Sequence, residues 1–388
     1  MKILIIARGI PNSHDPQEGC FEWDQAKALA ERGHTVVVMA VDSRVRKYWR
    51  KIGINAIKKN GITGYKIFYF PTSIIRRIFS LKTGYKIEAL LAKKLYRYII
   101  ARHGEFDIIH SHYLNCTYYG VHIKNIYNCN LIATEHWSEL DKPNITPLVK
   151  YLGDFSYPKV DKLISVSESL ATSIRRNFNI DSIVIHNLIN SKFTNRLSAN
   201  IERHKNFVFT CVGSLIRRKG FDYLINAFYK SKARDMGVEI IIIGNGAERH
   251  NLEKQIEELN LSDQVHLLGQ KNKSEIFDYL QSSDAFILPS RHENFSVSVL
   301  EALSCGNPVI ATICGGIKEC INSSNGLLVE VDNEVQLTKA LDDMYFNISK
   351  YDRNEIRKNC ISKYSPESIV RQLESVYNEV LSNNQNHV

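Results

Sequence analysis

Short, continuous apolar runs alternate with amphipathic stretches along most of the chain, and this alternation limits the possible folds more than any other feature. Residues 3–7 and 35–40 form two such runs, and the amphipathic stretch 21–32 between them is followed by Gly33, a residue typical of helix ends. Strands that are apolar on both faces are typical of parallel sheets with helices on both sides. The pattern therefore predicts repeated strand–helix–strand units.

The alternation is interrupted once, where residues 190–206 become polar and irregular, which predicts a linker between two domains. Before it we predict strands at residues 3–7, 35–40, 65–70, 107–110, 131–134, 162–166 and 182–186. After it we predict strands at residues 207–212, 238–243, 265–268, 285–288, 308–311 and 326–329. The 388 residues suffice for two domains of about 150 residues or more each.

We therefore predict an α/β fold with two doubly wound sheets, in domains spanning residues 1–190 and 200–365. The last helix, within residues 366–388, has no strand to return to and can pack on either domain. Ligands of open α/β sheets bind beyond the carboxyl ends of the strands. With two such sheets facing each other, we expect the site in the cleft between them.

Positive charge is concentrated in one part of the chain. The whole sequence has 50 Lys and Arg against 41 Asp and Glu, a formal net charge of +9. Residues 43–104, here called the basic segment, contain sixteen Lys or Arg and one acid, Glu88, so they carry +15 and the remainder carries −6. A local excess of this kind indicates a binding partner.

Apolar residues recur at helical spacing in three parts of the basic segment. They are Val45, Tyr48, Trp49 and Ile52; Ile74, Ile75, Ile78 and Phe79; and Ile87, Leu91, Leu95 and Tyr98. Basic amphipathic helices with aromatic residues bind anionic membrane surfaces, which predicts peripheral membrane contact through residues 44–102. The alternative is that the stripes face the domain core and the charges are solvated. Nucleic-acid binding is disfavoured, because the chain has no glycine–aromatic RNA motif and no zinc finger.

Several absences favour a cytoplasmic protein, attached at the inner face of the membrane. No stretch approaches the about 20 apolar residues that span a bilayer. The first apolar run is too short for a signal-peptide core and is followed at once by Arg8 and Gly9. The eight cysteines are scattered without a CxxC pair, which predicts reduced core thiols and no metal site.

The strongest chemical pattern is the segment LPSRHENFSVSVLEALSCGNPVIATICGGIKE, in which a strand is followed by a loop with Glu293 and a helix with Glu301. The free amides at the start of that helix, which favour an anion, are predicted to be those of Asn294, Phe295 and Ser296. The two carboxylates, eight residues apart, can accept hydrogen bonds from hydroxyls on either side of the anion. A nucleotide sugar has this shape. A solvated pair of glutamates is the alternative.

A second pattern, VGSLIRRKG at residues 212–220, places a glycine loop between a strand and a helix. Arg217, Arg218 and Lys219 at the helix start provide positive charge for a diphosphate. The alternative is a basic loop on a solvated edge. The Gly-Asn-Gly of residues 244–246 is a weaker signal and is interpreted as a strand-to-helix turn.

These segments, together with PQEGCFEWDQAKALAERGH near the start, resemble the retaining glycosyltransferases of the GT-B fold known as family 4, or glycosyl transferases group 1. The resemblance covers most of the chain. It implies two Rossmann-like domains with the final helix crossing back to the first. It also implies metal-independent transfer of a sugar, typically a hexose, from a nucleoside-diphosphate donor, without another cofactor and with retained anomeric configuration.

The resemblance also implies roles for particular residues. Glu293, His136 and Lys219 are the expected catalytic residues: Glu293 contacts sugar hydroxyls, His136 lies near the sugar, and Lys219 stabilises the leaving diphosphate. A core histidine is the alternative for His136. The expected donor-binding residues are Gly19, Ser214, Arg218, Lys219, Asn294, Phe295, Ser296 and Glu301, with Glu301 on the ribose. His112 and Asn115 are expected to contact the acceptor.

The chain departs from the family pattern at two positions. The family commonly has Arg where Ser214 stands, and Arg217 or Arg218 can replace that cation. Asn294 occupies a position that is frequently Gly. The interpretation is transfer to a glycan or lipid-linked saccharide in cell-surface polysaccharide synthesis, and the alternative is a nucleotide-sugar epimerase of the same architecture. The base and the sugar of the donor are left open.

Overall fold

The computed structural model describes residues 1–45, 49–74, 80–142, 144–194 and 204–385, and these form two units. The first unit comprises Met1–Asn187 and Pro366–Val388, and the second comprises Leu188–Ser365. Each unit contains one sheet with helices packed against it. The fold class is the predicted one, two α/β domains with parallel sheets.

The first unit contains an eight-stranded sheet in the order β3-β4-β2-β1-β5-β6-β7-β8. Its strands are β1 Lys2–Ala7, β2 Thr35–Val41, β3 Gly53–Lys59, β4 Ile62–Phe68, β5 Ile108–His112, β6 Leu131–Glu135, β7 Lys162–Ser165 and β8 Ile183–Val184. All neighbours pair in parallel except β3, which is antiparallel to β4. The central strands are apolar on both faces because helices cover both sides.

Five helices of the first unit connect its strands or follow them. They are α1 Cys20–Glu31, α2 Leu81–His103, α3 Leu114–Tyr127, α4 Pro147–Ser156 and α5 Glu168–Phe178. Capping side chains mark several starts: Ser80 accepts a hydrogen bond from the Thr83 amide, and Thr146 accepts one from the Val149 amide. No helix of the described residues is long and apolar enough to cross a membrane.

The structure corrects the prediction for the basic segment. Residues 49–52 are not helical, and β3 follows them, so the first predicted amphipathic helix is wrong for its described part. Tyr48, Ile75, Ile78 and Phe79 lie outside the described residues. The predicted helical spacing continues to Ile52, but the chain enters β3 at Gly53, which pairs antiparallel with the adjacent β4.

The third stripe of the basic segment does lie on a helix, α2. Of this stripe, Leu95 is buried and Ile87, Leu91 and Tyr98 are half-buried, so the alternative that the stripe faces the domain core holds for part of it. Glu88, the single acid of the segment, is fully buried. The hydroxyls of Thr72 and Tyr119 donate hydrogen bonds to it, at 2.5 Å for Thr72.

The second unit contains a six-stranded, all-parallel sheet in the order β11-β10-β9-β12-β13-β14. Its strands are β9 Val208–Val212, β10 Glu239–Ile243, β11 Val265–Gly269, β12 Ala285–Leu288, β13 Val309–Thr312 and β14 Gly326–Val329. Its helices are α6 Ser191–Thr194, α7 Phe221–Tyr229, α8 Lys232–Asp235, α9 Arg249–Glu258, α10 Lys273–Ser282, α11 Val297–Ser304, α12 Glu334–Phe346 and α13 Arg353–Tyr364. This strand order is that of a doubly wound dinucleotide-binding fold.

The last helix, α14 Pro366–Gln385, packs in the first unit. Glu374 pairs with Arg32 at 3.0 Å, and the Tyr377 hydroxyl lies 2.7 Å from His110 Nδ1. The sequence left its partner open because an amphipathic helix without a following strand fits more than one surface. The unit boundaries lie at Asn187 and Ser365, beside the predicted 190 and 365.

Each sheet reverses its direction of strand addition at one point, between β1 and β5 in the first and between β9 and β12 in the second. Such switch points open a crevice at the carboxyl ends of the two strands. Gly19 lies in the loop after β1 and Asn115 in the first turn of the helix after β5, and the loops after β9 and β12 contain Lys219 and Glu293. The predicted site residues thus follow the switch-point strands of their own unit.

Candidate active site

A buried ion pair joins the two loops at the switch point of the second unit. Lys219 Nζ lies 2.5 Å from Glu293 Oε1, and the Ser290 hydroxyl donates to the same oxygen at 2.8 Å. Burial raises the pKa of the Glu293 carboxyl, but the charge and hydrogen bond of Lys219 outweigh it, so the pKa lies below its usual value. Glu293 is therefore a carboxylate at neutral pH and acts as a hydrogen-bond acceptor.

The loops that hold this pair are joined by further contacts. The Arg291 amide donates to the Arg218 carbonyl at 2.8 Å, and the Arg291 guanidinium forms a two-bonded pair with Asp222, each bond 2.8 Å long. Asp332 accepts from the same guanidinium at 2.7 Å. The backbone after β9 and the backbone after β12 are thus held together independently of the Lys219–Glu293 pair.

Gly315 allows a third loop to approach Glu293. Its φ is 53°, and a Cβ added there would lie 1.7 Å from the Glu293 carbonyl oxygen. The next amide, of Gly316, donates to the Asn294 carbonyl at 2.8 Å. Glu319 ends the short 3-10 turn Gly315–Glu319, which packs directly on the Glu293 loop.

Helix α11 begins at Val297, with Ser296 as its N-cap, two residues later than predicted. The amides that point out of its first turn therefore belong to Val297, Ser298 and Val299, whereas Asn294 and Phe295 lie in the preceding loop. Phe295 is buried, and its ring lies 5.7 Å from that of Tyr364, which anchors the loop. The start of α11 offers donors and a positive dipole end beside Glu293.

Glu301 lies in the second turn of α11 and is 1% exposed. Lys273, at the start of α10, donates a hydrogen bond to Glu301 Oε1. Sequence reasoning missed Lys273, although Asn272 and Glu275 around it form a recognisable capping box. Both glutamates of the E-x7-E pattern therefore pair with a lysine from another loop, and the solvated-pair alternative is wrong.

The basic loop after β9 contains two arginines, Arg217 and Arg218, that could replace the arginine that the family commonly has at the position of Ser214. Ser214, Arg217 and Arg218 are all exposed, and Lys219 is half-buried. The charge of Arg218 contributes to lowering the pKa of Glu293, and no such effect of Arg217 is found. Arg218 is therefore the better placed of the two arginines.

Three histidines and a glutamine form a buried ladder at the switch point of the first unit. His112 Nδ1 lies 3.0 Å from His136 Nε2, and His110 Nε2 lies 2.7 Å from the Thr134 hydroxyl. The Nε2 of Gln25 lies between His110 and His112, 3.2 and 3.3 Å from their ring nitrogens. Burial lowers the pKa of His110 and of His112 well below the usual value, so both rings are neutral.

His136 follows β6 and is the member of the ladder that is half-buried. Burial, followed by the charge of Arg8, lowers its pKa to about 3. Glu135 beside it accepts hydrogen bonds from the His136 and Trp137 amides at 2.9 and 2.8 Å and from the Tyr157 hydroxyl at 2.8 Å. Burial nevertheless raises the pKa of Glu135 to about 7.

Arg8 follows β1 and links the ladder to a small pocket. It pairs with the fully buried Glu22 at 3.4 Å, and its guanidinium lies 3.4 Å from the centre of the Tyr113 ring. Tyr113 has φ 68° and ψ 148°, a conformation that non-glycine residues rarely adopt and that is concentrated at functional sites. The pocket holds about 170 Å³ and is lined by Arg8, Arg44, Tyr85, Tyr113, Asn115 and Trp137, among others.

The predicted site residues of the first unit differ from one another in how well their positions fit the expected roles. Asn115 lines the pocket, whereas His112 is 1% exposed and lies behind His136, so a direct contact of His112 with an acceptor does not fit its position. Gly19 caps α1 with φ 65°, and a Cβ there would lie 2.1 Å from the Gly9 carbonyl oxygen. Gly19 is therefore required by the packing of two backbone segments.

Sequence reasoning missed several residues of this half: Arg8, Glu22, Gln25, His110, Tyr113, Glu135 and Tyr377. His110 and His112 are two residues apart on β5, which places them on one face of the sheet, and this spacing was an available signal. Tyr377 lies 267 residues from its partner His110, so no local pattern could indicate it. Among the described residues, no group of three His, Cys, Asp or Glu could hold a metal ion.

Comparisons with known sequences agree with these features. The family described as glycosyl transferases group 1 matches residues 193–363, and the family described as glycosyltransferase family 4 matches residues 23–193. An uncharacterised glycosyltransferase of Methanocaldococcus jannaschii is 30% identical over 80% of this chain and 86% of its own length. The N-acetyl-alpha-D-glucosaminyl L-malate synthase of Bacillus anthracis is 24% identical, with 93% of each chain covered.

Solved structures show the same architecture. The sucrose-phosphate synthase of Thermosynechococcus elongatus matches with a TM-score of 0.81 at 18% identity, over 99% of this chain and all of the other. HepE of Anabaena, solved in complex with UDP and glucose, matches with a TM-score of 0.73 at 17% identity, over 98% of this chain and all of the other. The fold is the GT-B fold. The chain belongs to the group 1, or family 4, glycosyltransferases.

Proposed function

We propose that the protein is a retaining glycosyltransferase that takes a hexose from a nucleoside-diphosphate sugar. The acceptor is a glycan or lipid-linked saccharide at the cytoplasmic face of the membrane, in the synthesis of a cell-surface polysaccharide. The second unit binds the donor and the first binds the acceptor. The observation that carries the proposal is the Lys219–Glu293 pair beside the start of α11.

This arrangement suits a diphosphate leaving group next to a sugar. Both measured contacts of Glu293 use Oε1, and among the described residues no hydrogen bond to its Oε2 is found, so Oε2 can accept from sugar hydroxyls. Lys219, Arg218 and the amides of α11 provide positive potential where charge develops on the departing phosphate. Glu301 and Lys273 then lie one turn further along, where a ribose hydroxyl would be recognised.

Retention follows from front-face attack, in which the departing phosphate oxygen accepts the proton of the acceptor hydroxyl. The bond from the anomeric carbon to the phosphate breaks, and a bond from that carbon to the acceptor oxygen forms on the same face. His136 is neutral at neutral pH because its pKa is about 3, so it contributes a hydrogen bond to the sugar rather than a charge.

The pocket in the first unit supports an acceptor with an anionic group. Two of its lining residues are the cations Arg8 and Arg44, and none of its lining residues is a carboxylate. Two proteins with which the chain was compared are named for products that carry acidic groups, a malate conjugate and sucrose phosphate. A phosphate on a lipid-linked saccharide has the chemistry that this pocket recognises.

A donor screen tests the proposal. Melting temperatures are measured with UDP-, GDP- and ADP-sugars, because a ligand that binds only the folded state raises the melting temperature. We expect one nucleotide class to raise it, and Lys219→Ala to abolish that rise. No rise with any donor would contradict the proposal. A rise that Lys219→Ala leaves intact would place the donor elsewhere.

Turnover assays then separate the two candidate activities and the metal requirement. Donor is incubated with and without a lipid-linked saccharide extract, and the products are identified by mass spectrometry. Appearance of an isomeric nucleotide sugar without acceptor would favour the epimerase alternative. Transfer that persists in EDTA supports metal independence, and loss of transfer that Mg²⁺ restores would contradict it.

Membrane contact is proposed for the basic segment in a revised form. Trp49, Val45 and Ile52 are 95%, 65% and 64% exposed near the basic residue Lys51, whereas Arg50 pairs with Asp42 at 2.9 Å. Tryptophan favours the membrane interface, and each basic residue near an anionic surface contributes about 1 kcal/mol. The contact is therefore made by exposed residues at positions 45, 49, 51 and 52 rather than by the predicted helix.

Liposome co-sedimentation tests this contact. We expect the protein to bind anionic vesicles, to dissociate as salt rises, and to lose binding in Trp49→Ser. Val335→Ser, which changes an 80% exposed apolar residue of the second unit, is the matched control and should leave binding unchanged. Binding that salt does not weaken, or equal losses in both variants, would contradict the assignment.

A further inference from the structure

The side-chain amide of Gln25 contacts two rings of the histidine ladder. Its Nε2 is 3.2 Å from His110 Nδ1 and 3.3 Å from His112 Nε2. Gln25 is 8% exposed, and His110 and His112 are 0% and 1% exposed, so solvent does not compete for these groups. An amide NH₂ group has two hydrogens to donate and accepts nothing. Both ring nitrogens that face it must therefore present a lone pair.

This requirement determines where each neutral imidazole carries its hydrogen. His110 carries it on Nε2, which donates to the Thr134 hydroxyl at 2.7 Å. His112 carries it on Nδ1, which donates to His136 Nε2 at 3.0 Å. His136 Nε2 is then an acceptor, and the hydrogen of His136 is on Nδ1. Asn187 also forms a hydrogen bond with the side chain of His136.

We infer that Gln25 is a positioning residue, whose side-chain amide fixes the tautomers of His110 and His112 and, through them, the Nδ1–H tautomer of His136. Because Gln25 turns its Nε2 toward both rings, it can only donate to them. Tyr377, whose hydroxyl lies 2.7 Å from His110 Nδ1, can either donate or accept and therefore adapts to the tautomer it meets.

The stacking of the three rings stabilises this arrangement of tautomers. The His110 and His112 rings are 4.5 Å apart and 23° from parallel, and the His112 and His136 rings are 5.3 Å apart and 21° from parallel. Turning one ring over would break its hydrogen bonds on both sides. The role of His136 in sugar transfer rests on the proposed function, but its tautomer does not.

The tautomers can be measured directly on the full chain labelled with ¹⁵N-histidine. Long-range ¹H–¹⁵N spectra near neutral pH, recorded without substrate, distinguish Nδ1–H from Nε2–H rings. We expect Nε2–H for His110 and Nδ1–H for both His112 and His136, with assignments from His→Gln variants. An Nε2–H ring at His112 would overturn the inference.

Gln25→Glu tests the role of the amide, because a carboxylate of the same shape accepts hydrogen bonds and donates none. We expect His110 to change to Nδ1–H and His112 and His136 to change to Nε2–H. We also expect kcat to fall by about tenfold or more while the donor KM changes by less than about twofold, because a wrong tautomer affects the reacting complex. Unchanged tautomers in the folded variant would overturn the inference.

Two further variants provide controls. Tyr377→Phe removes the hydroxyl that also contacts His110 Nδ1 and should leave all three tautomers unchanged. A changed tautomer would show that Tyr377, and not Gln25, fixes them and would overturn the inference. Gln264→Glu removes an amide that donates to the carbonyls of Arg234 and Val238 in the second unit, at 2.8 and 3.1 Å. It should lower stability without changing the histidine spectra, and a change there would overturn the specific role of Gln25.

The two proposals fail in different ways. A wild-type protein with the expected tautomers but no transfer from any donor would contradict the proposed function and leave the role of Gln25 intact. A protein that transfers sugar normally in the Gln25→Glu variant, with its tautomers inverted, would remove the positioning role in catalysis and leave the glycosyltransferase assignment intact.

Discussion

The switch points of the two units occupy equivalent places in similar sheets, yet they handle polar groups in opposite ways. In the second unit, Glu293 and Glu301 each pair with a lysine. In the first unit, His110, His112 and His136 are neutral rings held by directional hydrogen bonds. Paired charges can exchange one partner for a phosphate, whereas a neutral ladder offers fixed donors and acceptors. The difference matches a donor that carries charge and a reacting hydroxyl that carries none.

The largest expected effect comes from removing one charge of the second unit. Lys219→Ala should lower kcat by about 10²- to 10³-fold, the usual cost of losing one group that stabilises developing charge. The pKa of Glu293 should rise, because Lys219 is the main group that lowers it. Steady-state kinetics and the pH dependence of kcat measure both effects.

Lys254→Ala is the control for this variant, since Lys254 forms an exposed pair with Glu258 at 3.5 Å. Exposed pairs contribute less than about 1 kcal/mol, so its activity should stay within about twofold of the wild type. Similar losses in both variants would show that total charge, rather than the buried pair, supports activity.

Acidification should destabilise the first unit at a higher pH than the second. Histidines with a lowered folded-state pKa bind fewer protons than in the unfolded chain, so their contribution to stability is lost as the pH falls below about 6.5. Glu135, whose pKa is about 7, opposes this below pH 7 because it binds its proton more tightly in the folded state. Because three rings lose stability and one carboxyl gains it, we expect a net loss of stability between pH 7 and pH 5.

In the second unit the lowered pKa of Glu293 predicts loss of stability only as the pH falls through the acid range below its usual value. Hydrogen exchange, corrected for the intrinsic rate at each pH, should therefore show lost protection at pH 5 in peptides from β5 and β6 but not in those from β12 and α11. Arg8 and Glu22 also face the ladder, and Arg8 stays charged throughout this range. Equal protection in both units at pH 5 would break the comparison.

A smaller effect, on stability, is expected from the glycines that allow close backbone packing in each site. Gly19→Ala and Gly315→Ala should each lower the free energy of unfolding by about 2–4 kcal/mol, because positive φ and overlap with a carbonyl oxygen act together. Gly33→Ala, with φ 90° and nothing within 4 Å of the added Cβ, should lose only about 1–2 kcal/mol. Urea unfolding measures all three, and an equal loss at Gly33 would show that overlap contributes nothing.

Local patterns predicted the fold and half of the site because both rest on neighbouring residues. Continuous apolar runs predicted eleven of the fourteen strands in the described residues closely and a twelfth, β4, with a shift of two to three residues. The E-x7-E spacing placed Glu293 before α11 and Glu301 within it. The short β8 was predicted too long, and β3 was missed, because its polar, half-exposed sequence becomes a strand only by pairing with β4. Helix α11 starts two residues later than predicted because Gly315 and Gly316, from another part of the chain, hold the Glu293 loop.

The sequence alone therefore determined the two α/β domains, the family and the basic loop with Lys219, since periodicity and short motifs are properties of adjacent residues. Only the tertiary structure decided that each glutamate has a lysine partner, that His112 lies behind His136, and that Gln25 and Tyr377 complete the ladder. Those contacts join residues between 24 and 267 positions apart. They depend on strand order and helix packing, which no local spacing records.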